Sequence, residues 1–401
     1  MTYHWKLKII ATTALLMANP ATAEIKIGSI LDQTGFLNVY GLQQDKALRL
    51  AIESINKDGG LLGETIVVES LDAESDGEKY EKLAEQHASD SDIVAAFGGL
   101  TSSSREAMRP VFRDANKPYF YSALYEGGAC DRQTFITGSS ASQQLDPLIG
   151  WAIDYYGPDI YVMAPNYNFG EITGIWVEYL ANQYGGYVID QELLPLDQTD
   201  YSATIENIRK ANPDFVVTLP VGPSQVGFIQ QLKDAGLPES MGIVSTNYGS
   251  SNEQLLLTSE ARDGIVSSLG YFQEVDSETN DAFVSVWKEA YGDETPITTV
   301  AVDVWNAVHI WAAAVKIAGT SSADEVFDAL QTGNIAFDAP NGTVTLEGGS
   351  HHLRQDIYLA RGNAEGGFEV FETYRDVLPY YEREHCDLIS NPELVEHFTP
   401  E

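Results

Sequence analysis

Residues 25–60, IKIGSILDQTGFLNVYGLQQDKALRLAIESINKDGG, contain an apolar strand, a polar turn and an amphipathic helix in immediate succession. The strand is predicted at residues 25–31, and the turn-forming sequence DQTG follows it at residues 32–35. The DGG sequence at residues 58–60 ends the helix. One buried helix face is predicted from apolar residues spaced i, i+3, i+4 and i+7, namely Leu48, Ala51, Ile52 and Ile55.

The same alternation continues along the chain and occurs in two series. One series spans residues 24–137, and the second begins near Trp151 and continues to about residue 270. Helical segments separate most of the strands, which indicates parallel sheets covered by helices on both faces. We therefore predict an α/β fold with two doubly wound, Rossmann-like lobes. Further strands are predicted at residues 65–68, 93–97, 119–122, 160–164, 215–219, 242–246, 343–346 and 356–359, with late helices at 282–291 and 301–318.

Residues 1–23, MTYHWKLKIIATTALLMANPATA, have the pattern of a secretory signal peptide. Lys6 and Lys8 precede an apolar stretch, and ATA at residues 21–23 is a small-residue cleavage site. The alternative is a buried N-terminal helix. No Cys directly follows the cleavage site, so no lipid anchor is expected. Removal of 23 of the 401 residues leaves 378, which suits two lobes of a soluble protein in a bacterial periplasm.

The composition is strongly acidic. The chain has 59 Asp and Glu against 23 Lys and Arg, and the loss of Lys6 and Lys8 takes the net charge from −36 to −38. Such a surface repels nucleic acid and anionic lipid, so neither is expected as a partner. Because the acidic residues are spread along the chain, we interpret their excess as serving solubility, in a saline habitat.

The chain contains two cysteines, Cys130 and Cys386. In an oxidising compartment a disulfide between them is the expected state. Two free thiols remain the alternative, because the sequence does not give the distance between the two Cα atoms.

The common enzymatic motifs are absent from the sequence. It contains no GxGxxG after a strand, no GxxxxGK[ST], no HExxH and no GxSxG. Among the seven histidines only His351 and His352 are adjacent, and neighbouring side chains on a strand point to opposite faces. We therefore predict no metal site and no cofactor. These absences favour binding over catalysis.

Residues 97–106, FGGLTSSSRE, form the most informative candidate site. A strand ends, two glycines turn the chain, and three serines begin a helix. The first turn of a helix has free N–H groups and a positive dipole, and serine hydroxyls add further donors. Such a segment accepts a carboxylate or a carbonyl oxygen. The alternative is that one serine only caps the helix.

Aromatic residues follow other predicted strands. Tyr121 and Tyr125 could wall a pocket or be ordinary half-buried strand residues. In the second series Tyr167 and Phe169 lie two positions apart, so they face the same side in extended geometry. Ligands of open α/β sheets bind beyond the carboxyl ends of strands, which predicts one shared site. The matching strand ends further along are residues 220–224 (PVGPS) and 246–249 (TNYG).

With these segments together, the chain resembles the type I periplasmic binding proteins of branched-chain amino acid and amide transporters. Residues 25–41 (IKIGSILDQTGFLNVYG) and 55–63 (INKDGGLLG) are similar to that family. Within it, the chain most resembles the urea and short-chain amide binders, which include the amide sensor of aliphatic amidase operons. The segments similar to that branch are residues 125–127, 143–144, 166–167, 194–196, 200–202 and 337–342.

The resemblance implies the domain organisation and the ligand-binding residues. Lobe 1 would comprise residues 24–137 plus 273–351, lobe 2 residues 138–272 plus 352–401, and a three-stranded hinge would join them. The hydroxyl of Ser102 would bind a carbonyl or carboxylate oxygen of the ligand. Tyr167 and Phe169 would close over the ligand from lobe 2. The other ligand-binding positions implied are Tyr40, Tyr121, Ala123, Leu124, Val221, Asn247 and Tyr248.

Two departures from the family pattern bear on the ligand. Amino-acid binders of the family have an acid near Asn247 that pairs with the α-ammonium group, and Asn cannot neutralise a buried cation. Ala123 stands where many relatives have a polar side chain. We therefore predict urea or a short-chain amide. The alternatives are a branched-chain or other amino acid, if Glu126 or another acid substitutes, and a small methylated amine held by aromatic faces.

The function implied is that of a monomeric, non-enzymatic transport receptor. It would close around its ligand and deliver it to the permease subunits of an ABC transporter. Two other hypotheses are a ligand sensor for a regulatory partner and a secreted hydrolase using Glu126 with Tyr167. No nucleophile–base pair is recognisable by spacing, which disfavours the hydrolase.

Overall fold

The structure is a computed structural model, and it describes residues 24–237, 240–293, 295–332 and 335–400. The signal peptide predicted at residues 1–23 lies outside the described residues. The first strand, β1 (Glu24–Leu31), begins directly after that segment.

The first α/β series forms the parallel sheet of lobe 1. Its elements after β1 are α1 (Asn38–Lys57), β2 (Thr65–Asp72), α2 (Gly77–Ser89), β3 (Ile93–Gly98), α3 (Ser102–Asp114), β4 (Tyr119–Tyr121), β5 (Ala129–Cys130) and β6 (Thr134–Ile136). The strand order is β2-β1-β3-β4-β6, and every neighbouring pair is parallel. The helix face predicted for α1 is buried, with Leu48, Ala51 and Ile55 in the core.

The second series forms the parallel sheet of lobe 2. Its elements are α4 (Ala141–Tyr156), β7 (Asp159–Pro165), α5 (Asn168–Tyr184), β8 (Tyr187–Leu194), α6 (Ser202–Ala211), β9 (Phe215–Thr218), α7 (Pro223–Asp234), β10 (Gly242–Ser245), α8 (Ser259–Arg262) and β11 (Val266–Leu269). The strand order is β8-β7-β9-β10-β11, again with parallel neighbours. The two parallel series predicted from the alternation of strands and helices are therefore confirmed.

The remaining elements add antiparallel strands that connect the two sheets. They are α9 (Glu278–Tyr291), α10 (Thr299–Ala318), α11 (Ala323–Gln331), β12 (Ala336–Ala339), β13 (Gly342–Glu347), β14 (His352–Gly362), β15 (Phe368–Val377), α12 (Tyr380–His385) and β16 (Glu396–His397). The start of β14 pairs with β6 and β13, and its end pairs with β11 and β15. Up to β15 the chain thus passes between the lobes three times, after β6, after β11 and along β14, which agrees with the predicted three-stranded hinge.

Helix α10 has the length and the apolar composition of a membrane-spanning helix. However, 72% of its apolar 18-residue stretch is buried inside the protein. It packs against α1 and α11 in lobe 1. A helix that is apolar on every side is expected in the core of a large domain. Its burial therefore explains its composition.

The end of the chain returns to lobe 1. Cys386 forms a disulfide with Cys130, and β16 pairs antiparallel with β5. The backbone N–H of Phe398 donates to the carbonyl oxygen of Gly128 at 2.9 Å. The predicted assignment of all residues after 351 to lobe 2 therefore does not describe this last segment, because covalent and backbone bonds hold it against lobe 1. The rest of the domain division stays a prediction.

Candidate ligand-binding site

A narrow cavity lies between the lobes, beyond the carboxyl ends of the parallel strands. Its empty space is about 380 Å³. It contains eight of the predicted ligand-binding residues: Tyr40, Ser102, Ala123, Leu124, Tyr167, Phe169, Val221 and Asn247. It is also lined by Leu100 and Thr101, which belong to the candidate segment at residues 97–106, and by Ser250 and Val300, for which the sequence offered no specific signal.

The glycines after β3 allow the chain to turn into the cavity. Gly98 has φ +136°, and a Cβ at this position would lie 2.1 Å from the carbonyl oxygen of Ile30 in the adjacent strand. Only glycine fits such a close approach of two backbones. The turn brings the start of α3 to the cavity wall.

Helix α3 begins at the cavity. Thr101, and not a serine, is the N-cap of α3, since its Oγ1 accepts from the N–H of Ser104 at 3.1 Å. Among the described residues, the N–H groups of Ser102 and Ser103 have no hydrogen-bond acceptor. Free N–H groups in the first turn of a helix are ready donors for an oxygen of a ligand.

The Ser102 hydroxyl is oriented by a buried carboxylate. It donates to Oε2 of Glu126, and the other oxygen, Oε1, accepts from Nη2 of Arg105 at 2.6 Å. Glu126 and Arg105 are both fully buried. Because a serine hydroxyl has a single proton, Ser102 presents only acceptor lone pairs to the cavity in this arrangement. The predicted donation from Ser102 to a ligand oxygen would require the hydroxyl to leave Glu126.

Arg105 is held entirely inside lobe 1. Its guanidinium carbon lies 5.1 Å from the ring centre of Tyr121 and 4.5 Å from that of Tyr125. Burial disfavours its charge, but the carboxylates of Glu126 and Glu106 outweigh this cost and hold the pKa of Arg105 well above its ordinary value. Arg105 therefore stays charged and neutralises Glu126.

The side-chain amide of Asn247 is hydrogen-bonded to other groups of the protein. Its Nδ2 donates to the carbonyl oxygens of Leu219 and Pro220 at 3.3 and 2.6 Å. Its Oδ1 accepts from Gln225 at 3.0 Å and from Ser245 at 2.7 Å. The Ser245 hydroxyl also lies 2.7 Å from the carbonyl oxygen of Thr218, and its single proton can serve only one of these two acceptors. The donors of the Asn247 amide are therefore directed at protein carbonyls and not at a ligand. Asn247 lines the cavity and joins the segment after β9 to the end of β10.

Two hydrogen bonds join the lobes across the cavity. The N–H of Gly222 in lobe 2 donates to Oη of Tyr40 in lobe 1 at 2.9 Å. Nδ2 of Asn168, in the first turn of α5, lies 3.4 Å from Oε1 of Glu126. Tyr40 is 2% exposed. The structure therefore represents the closed arrangement of the lobes.

Aromatic faces form the second wall of the cavity. The rings of Tyr167 and Phe169 lie 6.0 Å apart at an angle of 37°. Burial, followed by the nearby hydroxyl of Tyr121 and the carboxylate of Glu126, raises the pKa of Tyr167 well above its ordinary value. Tyr167 is therefore a neutral phenol, which can donate one hydrogen bond and accept others.

Two of the predicted ligand-binding residues lie outside the cavity lining. Tyr121 points into lobe 1, where its hydroxyl donates to the carbonyl oxygen of Leu100 at 2.5 Å. Tyr248 packs on Phe368 with ring centres 5.8 Å apart and donates to the carbonyl oxygen of Arg262.

The cavity wall itself has no charged side chain among the described residues, but acidic groups lie behind it. Glu253 is 2% exposed and accepts hydrogen bonds from the N–H groups of Gly249 and Ser251 and from the Ser251 hydroxyl. Burial raises its pKa above the ordinary value. The described residues contain no group of three or more His, Cys, Asp or Glu that could hold a metal ion.

Comparisons with known proteins agree with this architecture. The family described as "Periplasmic binding protein domain" matches residues 25–382. The Leu/Ile/Val-binding protein homolog 6 of Brucella melitensis is 23% identical over 367 residues, covering 88% of this chain and 92% of the relative. Homolog 7 of the same organism is 26% identical over 310 residues, covering 72% and 76%.

Solved structures share the fold at low sequence identity. A solute-binding protein of an ABC transporter from Rhodopseudomonas palustris HaA2, in complex with p-hydroxybenzoic acid, has a TM-score of 0.81 and 19% identity, covering 89% of this chain and 99% of its own. The LivJ substrate-binding protein of Streptococcus pneumoniae, in complex with isoleucine, has a TM-score of 0.78 and 21% identity, covering 88% and 99%. The resemblance to the urea and amide branch stays a prediction. The chain belongs to the periplasmic binding protein family and has the type I fold of that family.

Proposed function

We propose that this protein is the periplasmic receptor of an ABC uptake transporter and that its ligand is urea or a short-chain amide. The observation that carries the ligand class is the pairing of donors and acceptors at the start of α3. The free N–H groups of Ser102 and Ser103 lie beside an acceptor-only Ser102 hydroxyl, in a cavity wall without a charged side chain.

A primary amide matches this arrangement at both ends of its polar group. Its carbonyl oxygen would accept from the N–H groups of Ser102 and Ser103, and its NH₂ group would donate to Oγ of Ser102. Buried polar groups are stable only when they are hydrogen-bonded, so a ligand that satisfies both kinds of group is favoured. A carboxylate has no hydrogen to give to Ser102.

The size and lining of the cavity support a short ligand. The empty space is about 380 Å³, and the closed lobes contact each other through Tyr40 and Gly222. The rings of Tyr167 and Phe169 would cover the flat π face of an amide or urea. The apolar side chains of Ala123 and Val221 leave room for a small hydrocarbon group.

The charges around the cavity support a neutral ligand. Glu126 is neutralised by Arg105, but Glu253 forms no ion pair with Lys, Arg or His among the described residues. The cavity wall therefore offers no cationic side chain to an anionic ligand. A buried anion without a cationic partner is costly in such surroundings.

A second candidate is a branched-chain or other small amino acid. Two relatives carry Leu/Ile/Val-binding names, and one structural neighbour holds isoleucine. The first turns of α3 and α5 could hold a carboxylate, and the lone pairs of Ser102 could accept from an ammonium group. A methylated amine is a third ligand class for the test, because aromatic faces attract such cations.

Transport would use the closed arrangement as the signal to the membrane partner. Ligand binding would stabilise the closed lobes, and the permease subunits would recognise that shape. We propose that the protein acts as a monomer in this cycle.

A thermal-shift screen of the mature protein tests the ligand class. Isobutyramide, isobutyrate and valine share one branched body and differ in the polar groups, while urea, trimethylamine and benzoate extend the set. A ligand that binds only the native state stabilises it by about 2.7 kcal/mol at a concentration of 100 Kd. We expect shifts with urea or isobutyramide. A shift with valine alone would support the amino-acid candidate, and a shift with isobutyrate or benzoate alone would contradict the neutral ligand.

A further inference from the structure

The side chain of Glu126 contacts helix α3, lobe 2 and the C-terminal segment. Oε2 accepts from the Ser102 hydroxyl, and Oε1 accepts from Arg105 on the same helix. Nδ2 of Asn168, from lobe 2, and Nε2 of His397, from the C-terminal segment, each lie 3.4 Å from Oε1. The residue is fully buried and does not itself line the cavity. Its contacts therefore reach the ligand only through Ser102 and the closing lobe.

The contacts of Glu126 divide between its two oxygens. Oε1 faces the cationic and amide donors, which leaves Oε2 to Ser102. A hydrogen bond to an ionised acceptor is about twice as strong as one between neutral groups. The Ser102 proton is consequently held toward Glu126 and away from the cavity.

We propose that Glu126 is the specificity-determining residue of this receptor: by holding the Ser102 proton, it makes Ser102 an acceptor and selects ligands that have an N–H next to their carbonyl oxygen. This inference rests on the proposed amide class and assigns its selection to one residue. Glu126 acts through Ser102, so it is a positioning residue. Asn168 reaches the same carboxylate, so closure of lobe 2 completes its surroundings.

Substitution of Glu126 by Gln would reverse the polarity of Ser102. The oxygen of the new amide would face Arg105, since a guanidinium only donates hydrogen bonds. Its NH₂ group would then donate to Oγ of Ser102 and release the hydroxyl proton toward the cavity. The same change removes a buried negative charge near the ligand. Both effects favour a carboxylate over an amide.

The matched control is Glu106→Gln. Glu106 also contacts Arg105, through Nε at 2.9 Å, and it contacts Arg109 at 2.9 Å. Its side chain is 36% exposed, and it has no hydrogen bond with Ser102 among the described residues. This variant therefore removes a charge from the same ionic cluster without changing the polarity of Ser102.

The experiment compares dissociation constants of isobutyramide and isobutyrate by calorimetry in each variant. The ratio of the two constants cancels any general loss of binding competence. We expect Glu126→Gln to shift this ratio toward isobutyrate by at least about tenfold, which corresponds to 1.4 kcal/mol. Glu106→Gln should leave the ratio within about twofold. An unchanged ratio in Glu126→Gln overturns the inference, whichever ligand the unmodified protein prefers.

A second variant keeps the inference testable if Glu126→Gln does not fold. Ser102→Ala removes the acceptor, so it should weaken isobutyramide while leaving isobutyrate unchanged; an equal loss for both ligands overturns the inference. If the unmodified protein prefers isobutyrate, the amide class fails while the role of Glu126 is still judged by the ratio. If neither ligand binds, the coupling between Ser102 and Glu126 is tested by the melting temperatures of Ser102→Ala, Glu126→Gln and the double variant. Additive changes would overturn the coupling, and non-additive changes would support it.

Discussion

Replacing Tyr40 by Phe should weaken ligand binding by opening the lobes. Tyr40 Oη accepts the N–H of Gly222 across the cavity at 2.9 Å, and Tyr40 is 2% exposed. Phe keeps the ring but leaves this N–H without an acceptor in the closed form. In the open form water can bond to the same N–H. The substitution therefore raises the free energy of the closed form alone.

The size of the effect follows from the cost of a buried, unsatisfied donor, about 1–3 kcal/mol. If binding requires closure, the whole cost appears in the affinity, as a roughly 5- to 150-fold rise in Kd. Calorimetry with the ligand that gives the largest thermal shift measures this change. Small-angle X-ray scattering of the ligand-free protein should show a larger radius of gyration in the variant.

Tyr161→Phe is the control for Tyr40→Phe. The hydroxyl of Tyr161 donates to Oε1 of Glu192 at 2.7 Å, and both residues lie in lobe 2. Its loss should lower the stability of that lobe and leave the Kd unchanged. The reasoning is refuted if Tyr40→Phe binds ligand as tightly as the unmodified protein, or if Tyr161→Phe weakens binding equally.

Three further predictions concern stability. His351 is fully buried, and burial, followed by the charge of His352, lowers its pKa to about 3. Only the unfolded state is then protonated between about pH 6.5 and pH 3, so stability falls on acidification by about 1.4 kcal/mol per pH unit from this group. Asn tolerates the φ of 60° found at residue 351, so His351→Asn is the test variant. Urea unfolding at pH 7.0 and 5.5 should show that this variant has lost the contribution of His351 to the pH dependence of stability. The control His385→Gln, at an exposed position, should keep that contribution. Removing the Cys130–Cys386 disulfide by double Ser substitution should cost about 2–5 kcal/mol, measured by the same unfolding; an unchanged midpoint would show that the bond contributes nothing. With a net charge of −36, the protein should unfold at higher temperature in molar salt than in dilute buffer, and equal melting temperatures would remove the saline interpretation.

Local pattern was sufficient to predict most of the fold. The strand predicted at residues 93–97 is β3 (Ile93–Gly98), and the helix predicted at 301–318 is α10 (Thr299–Ala318). Their apolar runs and periodicity depend on neighbours in the chain, which the sequence contains directly. Ligands of open α/β sheets bind beyond the carboxyl ends of the strands, and this rule predicted one shared site for Ser102 and Tyr167. Both residues line the same cavity, although 65 positions separate them in the sequence.

Long-range pairing was harder to predict. The sequence analysis did not identify β8 or β15, whose exposed and polar residues weaken the apolar signal of a strand. It also placed the last residues in lobe 2, whereas the disulfide and the β16 pairing hold them against lobe 1. Such contacts join residues more than 250 positions apart, and local periodicity contains no information about them.

The direction of hydrogen bonds in the site also depends on distant partners. Ser102 and Asn247 were both expected to bond to the ligand, because their residue types offer donors and acceptors. In the structure the Ser102 hydroxyl donates its hydrogen bond to Glu126. The amide of Asn247 is hydrogen-bonded to strand-end carbonyl oxygens and to two side chains. The donors left at the start of α3 are therefore backbone N–H groups, and the acceptor left is the Ser102 oxygen. The proposed preference for an amide over an acid of the same shape therefore depends on the position of one hydrogen atom.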